Sequence, residues 1–75
     1  MSNFAVIMVH TTSDAIHAER VLRRAGLAAK LIPTPRRLSS DCGSAVRISA
    51  DDHGEAERLL RGAQVAIDRI EPLEA

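Results

Sequence analysis

The side chain best suited to chemistry in this sequence is a thiol, which lies in a segment rich in proline, arginine and serine. Cys42 is the only cysteine among the 75 residues, and Arg36, Arg37, Ser39 and Ser40 precede it. Positive charge and hydroxyl donors near a thiol favour its thiolate form, which is the nucleophile in sulfur chemistry. The segment therefore predicts a reactive thiol in an accessible loop.

The immediate neighbours of Cys42 act in different directions. Asp41 disfavours the thiolate through its like charge, whereas Gly43 removes the bulk of a side chain and would let a partner's sulfur or selenium approach closely. Pro33 and Pro35 stiffen the loop and stop the preceding strand. A lone free cysteine is also often a small buried apolar residue. A purely structural role for Cys42 therefore stays open.

The other titratable residues offer little further chemistry. His10 follows an apolar run, where a histidine is usually a solvated end residue. The three histidines and one cysteine lack the short spacing of a zinc site. The sequence contains no paired carboxylates, Ser/His/Asp set or glycine-rich phosphate loop. We therefore expect no metal, no cofactor and no catalytic turnover by the domain alone.

Length and composition limit the remaining functions. A chain of 75 residues predicts a single domain over residues 1–75 with one small core. Ten basic and ten acidic side chains cancel, which argues against general binding to nucleic acid or anionic lipid. Phe4 is the only aromatic residue, so base stacking on a sheet is not expected. The start of the chain does not resemble a signal peptide, and the longest apolar run, residues 4–9, is too short to span a bilayer. These features predict a cytoplasmic protein without a membrane role.

Apolar patterning and turn residues predict four strands and two helices in the order βαββαβ. The predicted strands are residues 4–9, 27–32, 45–49 and 65–70. Ser13 is expected to cap the first helix and Gly26 to end it. Asp51 or Asp52 is expected to cap the second, and Asp52 has capping-box spacing to Glu55.

In a domain of this size, that order most readily forms the ferredoxin-like α+β fold, a four-stranded antiparallel sheet with both helices on one face. The first and second strands then run parallel, with the third between them. Cys42 and Gly43 should therefore lie near His10, Thr11 and Thr12. The N-terminus of the first helix, whose free N–H groups favour an anion, is expected at the same end.

The segment from Leu31 to Arg47 resembles the signature of the selenium/sulfur (Se/S) carrier protein-like family, which consists of small bacterial domains. The similar features are a Pro-Thr-Pro-Arg run and, at a fixed distance, serines followed by Cys-Gly. Residues 12–22 also resemble the first helix of that family. The chain differs where Thr12-Ser13 replaces a threonine-histidine pair and where Asp41 replaces a third serine. The resemblance implies that Cys42 carries sulfur or selenium as a persulfide or its selenium analogue.

These observations lead to a first hypothesis, a cytoplasmic carrier or adaptor that shuttles a chalcogen atom. Cys42 would accept the atom from a cysteine desulfurase-like donor and pass it to an acceptor protein. Arg36, Ser39, Ser40 and the helix N–H groups around Thr12 and Ser13 would hold the terminal anion.

The second hypothesis is a non-enzymatic module that binds a small ligand or regulates a partner. The first strand is apolar on both faces, which suggests an exposed apolar sheet surface through which a homodimer could form. Cys42 would then be incidental to function.

Overall fold

A computed structural model of the chain describes residues 3–38 and 43–73. The strands are β1 (Phe4–Met8), β2 (Ala29–Pro33), β3 (Ser44–Ser49) and β4 (Arg69–Leu73), and the helices are α1 (Thr12–Arg24) and α2 (His53–Gly62), the latter preceded by a 3₁₀ turn at Ala50–Asp52. The strands form one sheet in the order β2-β3-β1-β4, and each neighbouring pair is antiparallel. The predicted ferredoxin-like α+β arrangement is confirmed.

The strand β1 lies inside the sheet and is buried on both sides. Ala5 and Ile7 point toward the helices, on the side called here the helix face, while Val6 and Met8 point to the opposite side, the open face. None of the four is more than 2% exposed. A strand covered on both sides needs an unbroken apolar run rather than an alternating one. This explains why residues 4–9 indicated a central strand.

Both helices pack on the helix face and share one core with the sheet. The helical members of this core are Ala15, Ala18 and Leu22 of α1 and Ala56 and Leu60 of α2. Ala25 and Ala63, which continue the apolar stripes in the sequence, are exposed. Each is the C-cap of its helix, so the stripe ends where the chain turns away from the core.

The first helix begins earlier than the sequence predicted. Thr11, not Ser13, is the N-cap: its backbone is extended and its Oγ1 accepts the N–H of Asp14 at 3.1 Å. Asp52 does occupy the N-cap position of α2, but its side chain makes no capping bond. Glu55 bonds Arg58 at 2.9 Å instead of reaching back to the cap.

The two helices end in the same way. Gly26 has φ +90°, and the next amide, of Leu27, donates to the carbonyl of Leu22 at 3.0 Å. This is the Schellman arrangement, which needs a left-handed residue after the C-cap. Gln64 takes the equivalent place after α2 with φ 59°, although it has a side chain that disfavours this region.

The last strand lies four residues later than expected. Val65 is not a strand residue, because its amide donates to the carbonyl of Leu60 at 2.9 Å as part of the end of α2, and its side chain is buried in the core. Pairing begins only where Arg69 lies opposite Met8. Pro72 is accommodated within β4 because an edge strand does not need every N–H.

Side chains of α1 protect the other edge of the sheet. Glu19 accepts the outward N–H of Leu31 at 2.9 Å, and Arg23 donates through Nε to the carbonyl of Ala29 at 3.0 Å. Pro33, the last residue of β2, has no N–H to offer. These three features block further strand pairing along β2 and hold α1 against the sheet.

We predict that Gly26→Ala lowers the free energy of unfolding by about 1 kcal/mol, because alanine is strained at positive φ. A Cβ at this position would meet no atom within 4 Å, so crowding does not contribute. Gly62→Ala is the matched control: it lies at the end of α2 without positive φ and should stabilise by up to about 1 kcal/mol. Urea unfolding measures both changes, and equal signs would contradict the assignment.

We also predict that the double variant Glu19→Ala/Arg23→Ala loses about 1–2 kcal/mol of stability, because two backbone groups of β2 lose charged partners. Glu57→Ala/Arg61→Ala removes an exposed pair with the same four-residue spacing and should cost less than about 0.5 kcal/mol. Chemical denaturation compares the two. Similar losses in both would show that the bonds to β2 add nothing beyond a surface ion pair.

Candidate functional site

The predicted site lies in the connection between β2 and β3, whose base is closed by pairing. Pro33 lies opposite Ser44 at the end of the β2–β3 ladder, and the amide of Thr34 donates to the carbonyl of Gly43 at 3.1 Å. The two ends of the loop are therefore fixed to each other. Four predicted loop residues lie outside the described part of the chain: Ser39, Ser40, Asp41 and Cys42.

The first half of the loop folds back onto the open face. The amide of Leu38 donates to the carbonyl of Pro35 at 3.0 Å, which makes a tight turn with the exposed Arg36 and Arg37 at its centre. The Leu38 side chain then packs on the apolar cluster of the open face, formed by Val6, Met8 and Ala45. Leu38 thus anchors the loop beside the sheet.

Topology brings several predicted site residues to one end of the sheet. The β1–β3 register runs from Phe4 opposite Ser49 to Ile7 opposite Val46, so β3 begins where β1 ends. Gly43, just before β3, therefore lies at the same end as the exposed residues around the start of α1. These are His10 and Thr11, which precede the helix, and Thr12 and Ser13, its first two residues.

The N-cap of α1 provides acceptors for only some of the backbone N–H groups at the start of the helix. Thr11 takes up two of the early amides, that of Asp14 through its side chain and that of Ala15 through its carbonyl at 3.2 Å. The amide of Ser13 has no acceptor within the described residues. Helix starts of this kind favour a nearby negative charge.

The described residues add two further observations. Within residues 3–38 and 43–73, no three His, Cys, Asp or Glu side chains are grouped so that they could hold a metal ion. In those same ranges, neither helix combines the length and the apolar character required to cross a bilayer.

A cleft at the opposite end of the sheet was not foreseen from the sequence. It has a volume of about 320 Å³ and is lined by apolar residues, among them Phe4 and Ile48, and by the basic Arg23, Lys30 and Arg47. The guanidinium carbon of Arg47 lies 4.4 Å from the centre of the Phe4 ring, a cation–π contact that fixes this arginine. Among the described residues that line the cleft, three are basic and none is acidic.

The basic cleft follows from an uneven distribution of charge along a neutral chain. Residues 1–50 carry seven basic and three acidic side chains, whereas residues 51–75 carry three basic and seven acidic ones. This asymmetry was the sequence signal that could have indicated the cleft, and a net charge of zero conceals it. Cancellation over the whole chain therefore does not exclude a local site for an anion.

A second groove, of about 570 Å³, lies between α2 and the segment leading into β4. Its arginines are neutralised within the chain: Arg61 pairs with Glu57 at 2.7 Å, and Arg69 pairs with Asp68 at 2.7 Å and Glu71 at 2.6 Å. The hydrogen bond to Glu71, together with the charge of Asp68, raises the pKa of Arg69. This groove, unlike the cleft, has acidic partners for its arginines.

Comparison with known proteins gives one match. A family described as "Putative Se/S carrier protein-like" matches residues 4–72, which is nearly the whole chain and includes the loop with Cys42. Neither the curated proteins nor the solved structures contain a match to this chain.

We predict that Leu38→Ala frees the loop while the sheet stays folded, because this side chain joins the loop to the open face. We expect trypsin to cleave faster after Arg36 and Arg37 when the digestion is carried out under native conditions. Mass spectrometry of the fragments measures the cleavage rate. Leu73→Ala is the matched control, since Leu73 packs on the same cluster from β4. Leu73→Ala should lose a comparable free energy of unfolding without faster cleavage at these arginines. Equal acceleration of cleavage in both variants would show that Leu38 does not anchor the loop.

Proposed function

Because the chain belongs to the Se/S carrier protein-like family, we propose that it carries sulfur or selenium on Cys42. The observation that supports this most is the family match over residues 4–72, which spans the loop with its Cys-Gly pair. The chain would act as a shuttle between a donor and an acceptor, not as an enzyme with its own turnover.

The proposed transfer is a thiol exchange. The Cys42 thiolate attacks the terminal sulfur of a persulfide on a cysteine desulfurase-like donor. A new sulfur–sulfur bond forms on Cys42 as the donor's sulfur–sulfur bond breaks, and the electron pair leaves with the donor thiolate, which takes up a proton. The acceptor protein then removes the terminal sulfur by the same exchange. No external oxidant or reductant is needed.

The form of the described loop supports a thiol that is presented at a defined place. The Thr34–Gly43 hydrogen bond closes its base, and Leu38 ties its first half to the open face. Such restraints reduce the conformational freedom that a bimolecular exchange would otherwise lose.

Gly43 supports the approach of a partner from outside. A Cβ at this position would meet no atom of the described chain within 4 Å. Packing of the described residues therefore does not require glycine here. A glycine at position 43 would instead serve a partner protein, because it leaves room for a bulky donor or acceptor next to Cys42.

The terminal sulfur of a persulfide is an anion, and we propose that the loop and the start of α1 hold it. Arg36 would supply positive charge, Ser39 and Ser40 hydroxyl donors, and the amides around Thr12 and Ser13 the positive end of the helix. Pro33 and Pro35 would shape the loop, and His10 would be a neighbour. A reducing cytoplasm would keep Cys42 free for exchange.

A second candidate function is a non-enzymatic ligand-binding or regulatory module. The basic cleft favours the ligand-binding part of this alternative. The homodimer through the sheet stays a prediction: Val6 and Met8, at the centre of the open face, are 0% exposed within a single chain. In this alternative, Cys42→Ser would leave function unchanged.

The direct test is mass spectrometry after incubation with cysteine and several cysteine desulfurases. We expect a mass increase of one sulfur atom, located on the peptide with Cys42 and removed by a reducing thiol. Cys42→Ser should lose the increase completely. Absence of the adduct with every donor would count against the carrier, as would an adduct that persists in Cys42→Ser.

Gly43→Ala and Gly54→Ala form a matched pair for the access argument, since a Cβ at either position meets no atom of the described residues within 4 Å. Neither change should lower stability by more than about 0.5 kcal/mol. Gly43→Ala should slow sulfur transfer to Cys42, while Gly54→Ala, on α2, should not. Equal transfer rates would show that a side chain beside the thiol does not hinder the donor.

A further inference from the structure

We infer that the basic cleft at the end of the sheet away from Gly43 binds a small phosphate monoester with an apolar body. Phe4, Ala28, Ala29 and Ile48 supply its apolar lining, and Arg23, Lys30 and Arg47 supply its basic lining. Its volume of about 320 Å³ suits a small molecule rather than a protein or nucleic acid.

The strongest support is a like-charge pair without a partner. Lys30 and Arg47 lie directly opposite each other on β2 and β3, an arrangement that is normally destabilising. No acidic side chain of the described residues bonds either of them. Glu71, on the same face, lies beyond Val6 in this row and bonds Arg69 at 2.6 Å. A bound anion would supply the missing negative charge.

The arginines are positioned before a ligand arrives. Arg47 rests on the Phe4 ring at 4.4 Å, and the Nε of Arg23 is held by the carbonyl of Ala29 at 3.0 Å. The terminal nitrogens of Arg23 pair with no carboxylate among the described residues. A preorganised planar guanidinium group can donate two N–H bonds to two oxygens of one phosphate group.

The positive charge and the apolar lining of the cleft together define the class of ligand. The described residues that line the cleft include three basic side chains and no acidic one, which favours a dianion such as a phosphate monoester over a singly charged carboxylate. The apolar lining favours an organic body over inorganic phosphate alone. The ligand is therefore expected to need both parts.

The test is a titration of the full ¹⁵N-labelled chain in which NMR spectra record the amide shifts. Phenyl phosphate is the probe, inorganic phosphate tests charge alone and benzyl alcohol tests the apolar body alone. We expect saturable shifts from phenyl phosphate, centred on residues 28–30 and 47–49 and weakened by added salt. The affinity for inorganic phosphate should be lower than that for phenyl phosphate by about tenfold or more. Benzyl alcohol should cause no shift in these amides.

Three variants separate a binding role from a structural one. Lys30→Gln should weaken phenyl phosphate about tenfold or more, while the free protein keeps or increases its melting temperature because the like-charge pair is gone. Arg58→Gln, outside the cleft, should bind normally, and so should Cys42→Ser. Three outcomes would overturn the inference: no saturable shift with phenyl phosphate, unchanged affinity in Lys30→Gln, or equal shifts with benzyl alcohol.

Discussion

Burial of β1 on both of its sides is the constraint on which the rest of this small structure depends. Val6 and Met8 need cover on the open face as much as Ala5 and Ile7 need the helices. In a chain of 75 residues, helices are available for one side only. The open face is therefore covered by side chains from its own strands and from the loop that follows β2, of which Leu38 is a described part.

That arrangement joins the core to the candidate site. The residue that helps to close the open face, Leu38, is also the point from which the chain runs on toward Cys42. The other end of the loop is fixed by the pairing of Thr34 with Gly43. Loop position and core packing are thus coupled, because the same side chain serves both. The start of α1 at the same end of the sheet adds the partial positive charge of a helix terminus.

Charge divides the molecule in a way that its neutral total conceals. The arginines of α2 and β4 are matched by carboxylates within the chain, whereas the facing pair Lys30 and Arg47 is not. Facing like charges on neighbouring strands are normally avoided, and such an exception without compensation inside the fold is expected at functional positions. The cleft and the loop lie at opposite ends of β3, so a ligand at one and a chalcogen at the other would not compete for space.

The sequence alone determined the order of the elements, the two-sided first strand and the stop at Gly26, since apolar runs and a left-handed glycine are local signals. It also pointed to the family, through the Pro-Thr-Pro-Arg and Cys-Gly pattern. It placed the cap of the first helix at Ser13, whereas the direction of the chain leaving β1 makes Thr11 the cap. It placed the last strand too early, because Val65 and Ile67 are as apolar as strand residues but pack on the core. The cleft, likewise, exists only because the sheet register sets Lys30 against Arg47, and a register is a long-range pairing that local residue types do not specify.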